Sequence, residues 1–182
     1  MVSSAANANS NFLFPVADRE QTTTESLLRF HLVPETTALV TISQLSEVLK
    51  VNTRNIVPIP KLPPWVMGIY NWRGEILWVV DLGGLVGLTP LPEQSLVTTT
   101  LPLMVLRQEN NAGSRQTLGL IVREVEGISR IDPNAIQSPP ESTFTAELSR
   151  VLRGYWLNSE GEMLMVLSVA AIFEQMPQSS DN

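Results

Sequence analysis

"GIYNWRGEILWVVDLGGLVGL", residues 68–88, decides the reading of this chain. Two apolar runs flank Asn71-Trp72-Arg73-Gly74-Glu75, and Gly68 and Gly74 bracket the polar break. A short polar turn between β-prone runs predicts a hairpin, with Gly74 supplying the positive φ that a tight reversal needs. Alternation across the turn places Ile69, Ile76, Trp78 and Val80 toward a core.

Further β-like runs lie on both sides, broken by Pro, Gly and Asn. Strands are expected near Leu27–Val33, Ala38–Ile42, Glu47–Val51, Gly68–Trp72 and Ile76–Val80, then near Leu103–Leu106, Leu118–Arg123, Gly127–Ile131, Gly154–Trp156 and Met163–Leu167. With 13 prolines and scarce helical pattern, this predicts an all-β barrel or sandwich. Short helical turns are expected at Leu45–Leu49, Leu82–Val86, Ala146–Leu152 and Val169–Gln175. Residues 1–24 and 177–182 are Ser/Asn/Thr-rich and are expected to fray as a leader and a tail. Residues 25–176 form the body, with a connection near 89–100.

The two halves show a weak likeness. "LVTISQLSEVLKVNTRNIVPIP" from Leu39 and "LGLIVREVEGISRIDPNAIQSPP" from Leu118 match Ile42 with Ile121, Glu47 with Glu126, Asn55 with Asn134 and Pro60 with Pro139. "GEILWVVDL" from Gly74 parallels "GEMLMVLSV" from Gly161. Such identities also arise by chance in β-rich sequence. A duplication would mean two similar small barrels.

Composition narrows the function classes. The 182 residues are 43% hydrophobic and 16% charged, enough for a packed core. A formal charge of -6 argues against phosphate backbones and anionic membranes as main partners. Cysteine is absent, which removes disulfides, thiolate nucleophiles and Cys-based metal sites. The first residues lack a basic start with a sustained apolar stretch, and the run Ile76–Val80 stops at Asp81, far short of a membrane span. The expectation is a soluble protein of the cytoplasm.

Catalysis finds little footing. His31 is the single histidine and sits between Phe30 and Leu32 in an expected strand, a structural position. Glu124 and Glu126 would share one strand face, where like charges more often mark solvent than a hydrolytic pair. "DLGGLVG", residues 81–87, resembles a phosphate loop but lacks its spacing and lysine. Gly83, Gly84 and Gly87 are expected to permit a tight turn. No catalytic residue, cofactor or metal is expected.

Recognition is better served. Arg73 offers a planar fork that grips a carboxylate or carbonyls, which lysine cannot match. In a buried interface such an arginine contributes ~2 kcal/mol or more; as a solvent-exposed pair it contributes about 0–1 kcal/mol. The bland alternative is a solubilising turn residue. Trp72, next to the turn, is the tryptophan least assured of burial and suits an interface anchor; Trp78 and Trp156 occupy positions that favour the core.

The stretch "PPWVMGIYNWRGEILWVVDLGGLVGL", residues 63–88, resembles the central motif of the CheW-like chemotaxis coupling proteins. The likeness extends from "LLRFHLV" through "LGLIVREVEGISRI" to "GEMLMVLSVAAIF". It implies two intertwined five-stranded SH3-like barrels sharing a hydrophobic core, with a few short helices and no enzymatic activity. It also implies an adaptor that joins the regulatory domain of a CheA-type histidine kinase to the cytoplasmic tip of a methyl-accepting chemoreceptor. Arg73 matches the motif arginine and Glu47 a family glutamate, and Leu45 lies near the matching apolar receptor-contact position; Asn71, Trp72 and Gly74 complete the expected partner-binding set. Trp72 stands where the family usually has Leu, and Trp78 where Pro is common. The rival readings are an adaptor of a type IV pilus (twitching or phototaxis) pathway and a small-ligand β-barrel or enzyme using Gly83–Gly87.

Overall fold

A computed structural model describes residues 23–33, 36–91, 99–109, 113–138 and 144–177. Most of the expected leader and tail, the middle of the expected connection, and Pro139 lie outside these residues. The elements are β1 (Glu25–Val33), β2 (Thr36–Thr41), β3 (Leu45–Asn52), β4 (Val66–Trp72), β5 (Glu75–Asp81), α1 (Leu82–Leu85), β6 (Thr100–Glu109), β7 (Arg115–Ile121), β8 (Glu124–Ile131), α2 (Ala146–Val151), β9 (Leu152–Leu157), β10 (Met163–Leu167) and α3 (Val169–Glu174).

Every expected strand is present, as are three of the four helical turns. The exception is Leu45–Leu49, which belongs to β3 and pairs residue by residue with β6, from Leu45 opposite Leu106 to Asn52 opposite Thr100. Apolar residues at 45, 48 and 49 fit a helix as well as a strand, so only the ladder decides.

The strands form two five-stranded sheets, ordered β8-β1-β2-β10-β9 and β3-β6-β7-β5-β4. Their arrangement is equivalent. Each has a central antiparallel pair, β1–β2 or β6–β7, whose second strand meets a parallel neighbour, β10 or β5. Since β3–β5 complete the sheet of β6 and β7, while β8–β10 complete that of β1 and β2, the two halves exchange arms. The two halves therefore share one strand arrangement.

Its register differs from expectation by one residue in the first alignment. Asn52 and Asp132 each accept the N–H of the residue two further on, Arg54 and Asn134. Val57 and Gln137 make the equivalent bridges, to Ile69 and Tyr155. Glu47 thus corresponds to Gly127 rather than Glu126. The second alignment holds: Asp81 and Ser168 both stand at helix N-caps.

Those bridges close the barrels. Val57 and Ile69 exchange both backbone hydrogen bonds at 2.8 and 2.9 Å, as do Gln137 and Tyr155. The approach is possible only at glycine. A Cβ at Gly68 would lie 2.0 Å from the Val57 carbonyl oxygen, and one at Gly154 2.6 Å from that of Gln137.

Among the described residues, the apolar side chains form three clusters. A central one joins both sheets through residues such as Phe30, Val40, Val80, Met104, Leu120 and Ile172. One lies inside each barrel: Val51, Leu77, Val79, Leu103 and Ile121 in one, Leu27, Leu39, Ile131 and Leu164 in the other. The facing expected for β5 is corrected here. Leu77 and Val79 point into their barrel, whereas Ile76 is 71% and Trp78 37% exposed. A slip of one position turns a whole strand face over. Val80 is buried as expected, because the central cluster covers the outer side of that end of β5.

Candidate functional site

The hairpin between β4 and β5 turns on two residues. Arg73 (φ 53°) and Gly74 (φ 86°) both adopt positive φ, as a two-residue type I′ loop demands, with Trp72 opposite Glu75. Asn71 Oδ1 accepts the Gly74 N–H at 2.9 Å and pins the turn. Glycine is there for its backbone alone, since a Cβ would meet nothing within 4 Å. Arginine at the other position is costly: left-handed backbone costs an L-residue about 1–2 kcal/mol, and Asn, Asp or Gly would sit there more easily. The guanidinium is retained against that local cost.

Above the turn the side chains form a clasp. Glu47, on β3, accepts the Trp72 indole N–H at one carboxylate oxygen and Arg73 Nη2 at the other. Arg73 Cζ lies 5.3 Å from the Trp72 ring centroid, in cation–π range. Because β3 and β4 are the two edges of their sheet, these contacts reach across the seam of the barrel. The Glu47 side chain is 26% exposed, and that of Arg73 70%. At that exposure the ion pair is screened and contributes about 0–1 kcal/mol, so the guanidinium is easily lent to another acceptor. Trp72 rests on the core of its barrel.

Of the expected partner-binding residues, Glu47, Trp72 and Arg73 converge, with Asn71 and Gly74 shaping the loop. Leu45 is not part of the clasp. It lies half-buried against the central cluster, beyond an irregularity in β3 between Leu45 and Glu47.

Asp81 is a residue the sequence reading left without a role. Its side chain is buried, the residue being 2% exposed, and accepts the Leu91 N–H at 2.6 Å. Burial pushes its carboxyl above the ordinary carboxylate range; the amides of Leu91, Gly84 and Gly83, and the charge of Arg123, oppose that shift. A Cβ on Gly84 would lie 2.9 Å from Asp81 Oδ2. The amides of the glycine-rich run therefore face a carboxyl group, and that group is the chain's own Asp81. An aspartate directly before Leu-Gly-Gly was the available signal.

On the other barrel, Glu126 engages both Arg29 Nε and His31 Nε2; Arg29 Nη2 also reaches Glu162 at 3.1 Å. Thr37 Oγ1 lies 3.4 Å from His31 Nδ1. His31 thus contacts Glu126 and Thr37 on its strand face, and Glu126 is paired rather than simply solvated. Among the described residues, no three His, Cys, Asp or Glu side chains converge to hold a metal. None of the described helices is long and apolar enough to cross a membrane.

Two five-stranded barrels with exchanged arms around a shared core define a double-barrel β architecture. The chain belongs to the CheW-like domain family, whose model matches residues 26–176. It is 27% identical over 116 residues to the chemotaxis protein CheW of Rhizobium meliloti (strain 1021), covering 64% of this chain and 68% of that protein. It is 26% identical over 122 residues to the chemotaxis protein CheW of Thermotoga maritima, covering 67% and 72%. The crystal structure of the scaffolding protein TtCheW from Thermoanaerobacter tengcongensis superposes with a TM-score of 0.63 at 25% identity, covering 80% of this chain and 89% of that one. The family is one of scaffold adaptors rather than enzymes.

Proposed function

We propose that this chain is a non-enzymatic signalling adaptor of the cytoplasm that couples chemoreceptors to a CheA-type histidine kinase. The observation that carries this reading is the exposed Arg73, held on a left-handed turn over Trp72 by Glu47, in a chain of this family. Arg73 and Trp72 present the contact surface: a charged fork backed by an aromatic plane, the residue types that anchor interfaces. Glu47, Asn71 and Gly74 hold them in place. Leu45, two positions from Glu47 on β3, is the apolar contact on the same strand.

The mechanism is thermodynamic. Holding kinase and receptor on one body raises their effective concentration, and any difference in affinity between receptor states becomes a coupling free energy. No bond is made or broken.

The test is co-sedimentation of the chain with its kinase regulatory domain and receptor tip. Arg73→Ala should retain the wild-type melting profile while weakening ternary assembly about tenfold, the ~1.4 kcal/mol expected of a modest interface anchor. Unchanged assembly and kinase coupling would remove the assignment.

A further inference from the structure

Among the described residues, two side chains other than glycine stand on left-handed backbone, and both are cations: Arg73 and Lys61 (φ 66°). Lysine and arginine make up 12 of the 182 residues, so composition does not account for the coincidence. Left-handed backbone crowds any Cβ, and Gly or Asn would sit at either position more easily. Arg73 has its clasp. Lys61 is exposed and takes part in none of the ion pairs among the described residues. It sits in Pro58-Ile59-Pro60-Lys61-Leu62-Pro63-Pro64, where the prolines restrict the backbone. The ammonium is therefore presented from a stiff turn, which lowers the entropy lost when an anion binds there.

That turn borders an apolar surface. Leu62, the next residue, lines a groove of about 540 Å³ together with Trp78, Leu118, Phe173 and Met176. From Trp78 the apolar surface runs across the outer side of the sheet. Ile69 lies opposite Trp78 and bridges in turn to Val57, which is 59% exposed. Ile76 stands on the same face of β5 as Trp78 and is still more exposed. The outward positions of these strands, Ile69, Asn71, Ile76, Trp78, Gln116 and Leu118, include no charged residue. Exposed aromatic and aliphatic side chains without charges among them mark the centre of a protein interface rather than a solvated sheet. Trp72 packs on the opposite face of the hairpin, inside its barrel, so this surface is separate from the clasp.

Charge and extent define the occupant. A cation fixed at the border of an apolar strip calls for a carboxylate beside an apolar anchor. Glu174, exposed next to Phe173 on α3, disfavours a second carboxylate at its own end, so the complementary charge belongs at the Leu62 end alone. A small ligand would fill only the groove; covering the strip out to Ile76 and Val57 takes a protein segment.

We propose that this face docks a protein segment whose apolar anchor enters the groove beside Trp78 and whose Asp or Glu, adjacent to that anchor, pairs with Lys61. Trp78 supplies the main contact, and Lys61 selects among apolar segments by their charge.

The experiment pans a phage-displayed library of random dodecapeptides on the full-length chain and measures the enriched sequences as synthetic peptides by fluorescence anisotropy. Enriched peptides should carry Trp, Phe or Leu within a few positions of Asp or Glu. Trp78→Ser should weaken their binding at least tenfold. Lys61→Gly should weaken it about fivefold while melting at or above the wild-type temperature, and Lys61→Arg should restore it. Absence of enrichment, enriched peptides without an acidic residue, or affinity unchanged in either Trp78→Ser or Lys61→Gly overturns the proposal. No kinase or receptor enters the assay, so its outcome is independent of the adaptor reading.

Discussion

One carboxylate, that of Glu47, serves two neighbouring donors: the indole of Trp72 and the guanidinium of Arg73. The two contacts differ in worth. Trp72 is half-buried against its core and needs an acceptor, whereas Arg73 extends into water. Glu47→Gln keeps an oxygen for the indole and should cost under about 1 kcal/mol. Glu47→Ala leaves the indole without its acceptor and should cost about 1–2 kcal/mol. In a denaturant double-mutant cycle, the Glu47–Arg73 coupling should come out under about 1 kcal/mol. A coupling of several kcal/mol would mean that the arginine is committed to the fold.

Arg73→Gly should move stability and binding in opposite directions. The turn relaxes, raising unfolding free energy by up to about 1 kcal/mol, while partner assembly falls as for Arg73→Ala. Parallel loss of both in melting and co-sedimentation assays would assign the arginine a structural role.

Barrel closure gives a sharper contrast among glycines. Gly68→Ala forces a Cβ into the Val57 carbonyl and onto unfavourable positive-φ backbone, so a loss of about 3 kcal/mol or more is expected, or failure to fold. Gly127→Ala meets nothing within 4 Å and should be neutral or slightly stabilising. Urea midpoints of the two variants check this directly.

Asp81 sets a pH dependence whose sign is unusual for a carboxylate. Its folded-state pKa is raised above 3.8, so between the unfolded and folded values the native state holds more protons than the unfolded chain. Its contribution to stability is full below about pH 3.8 and falls as pH rises through the folded value. Asp81→Asn retains an acceptor for Leu91 but cannot ionise. Wild type should therefore lose stability relative to Asp81→Asn as pH rises through that window, measured as urea midpoints from pH 3.5 to 7. Asp81→Ala should cost about 1–3 kcal/mol at every pH, because the buried Leu91 N–H loses its partner.

Strand existence was legible because Val-, Ile- and Leu-rich runs punctuated by Gly, Pro and Asn have few other fates. Strand facing was less so. Ile-Leu-Trp-Val-Val at 76–80 is apolar throughout, which leaves no alternation to read, and only the double layer of cores sorts Leu77 inward and Trp78 outward. Arg73, Trp72 and Gly74 could be found because the turn writes its requirements locally. Their connection to Glu47, 25 residues away from Trp72, depends on the barrel seam. Sequence spacing alone does not carry that information.

The exchange of arms between the halves also has a consequence for biosynthesis. A ribosome that has released β1 and β2 has made only the middle of a barrel; the strands that finish it run to Leu167, almost the end of the described chain. The lobe of β3–β7 has all its strands once Ile121 is made, whereas a nonsense codon anywhere before β10 leaves the lobe of β1 and β2 unclosed.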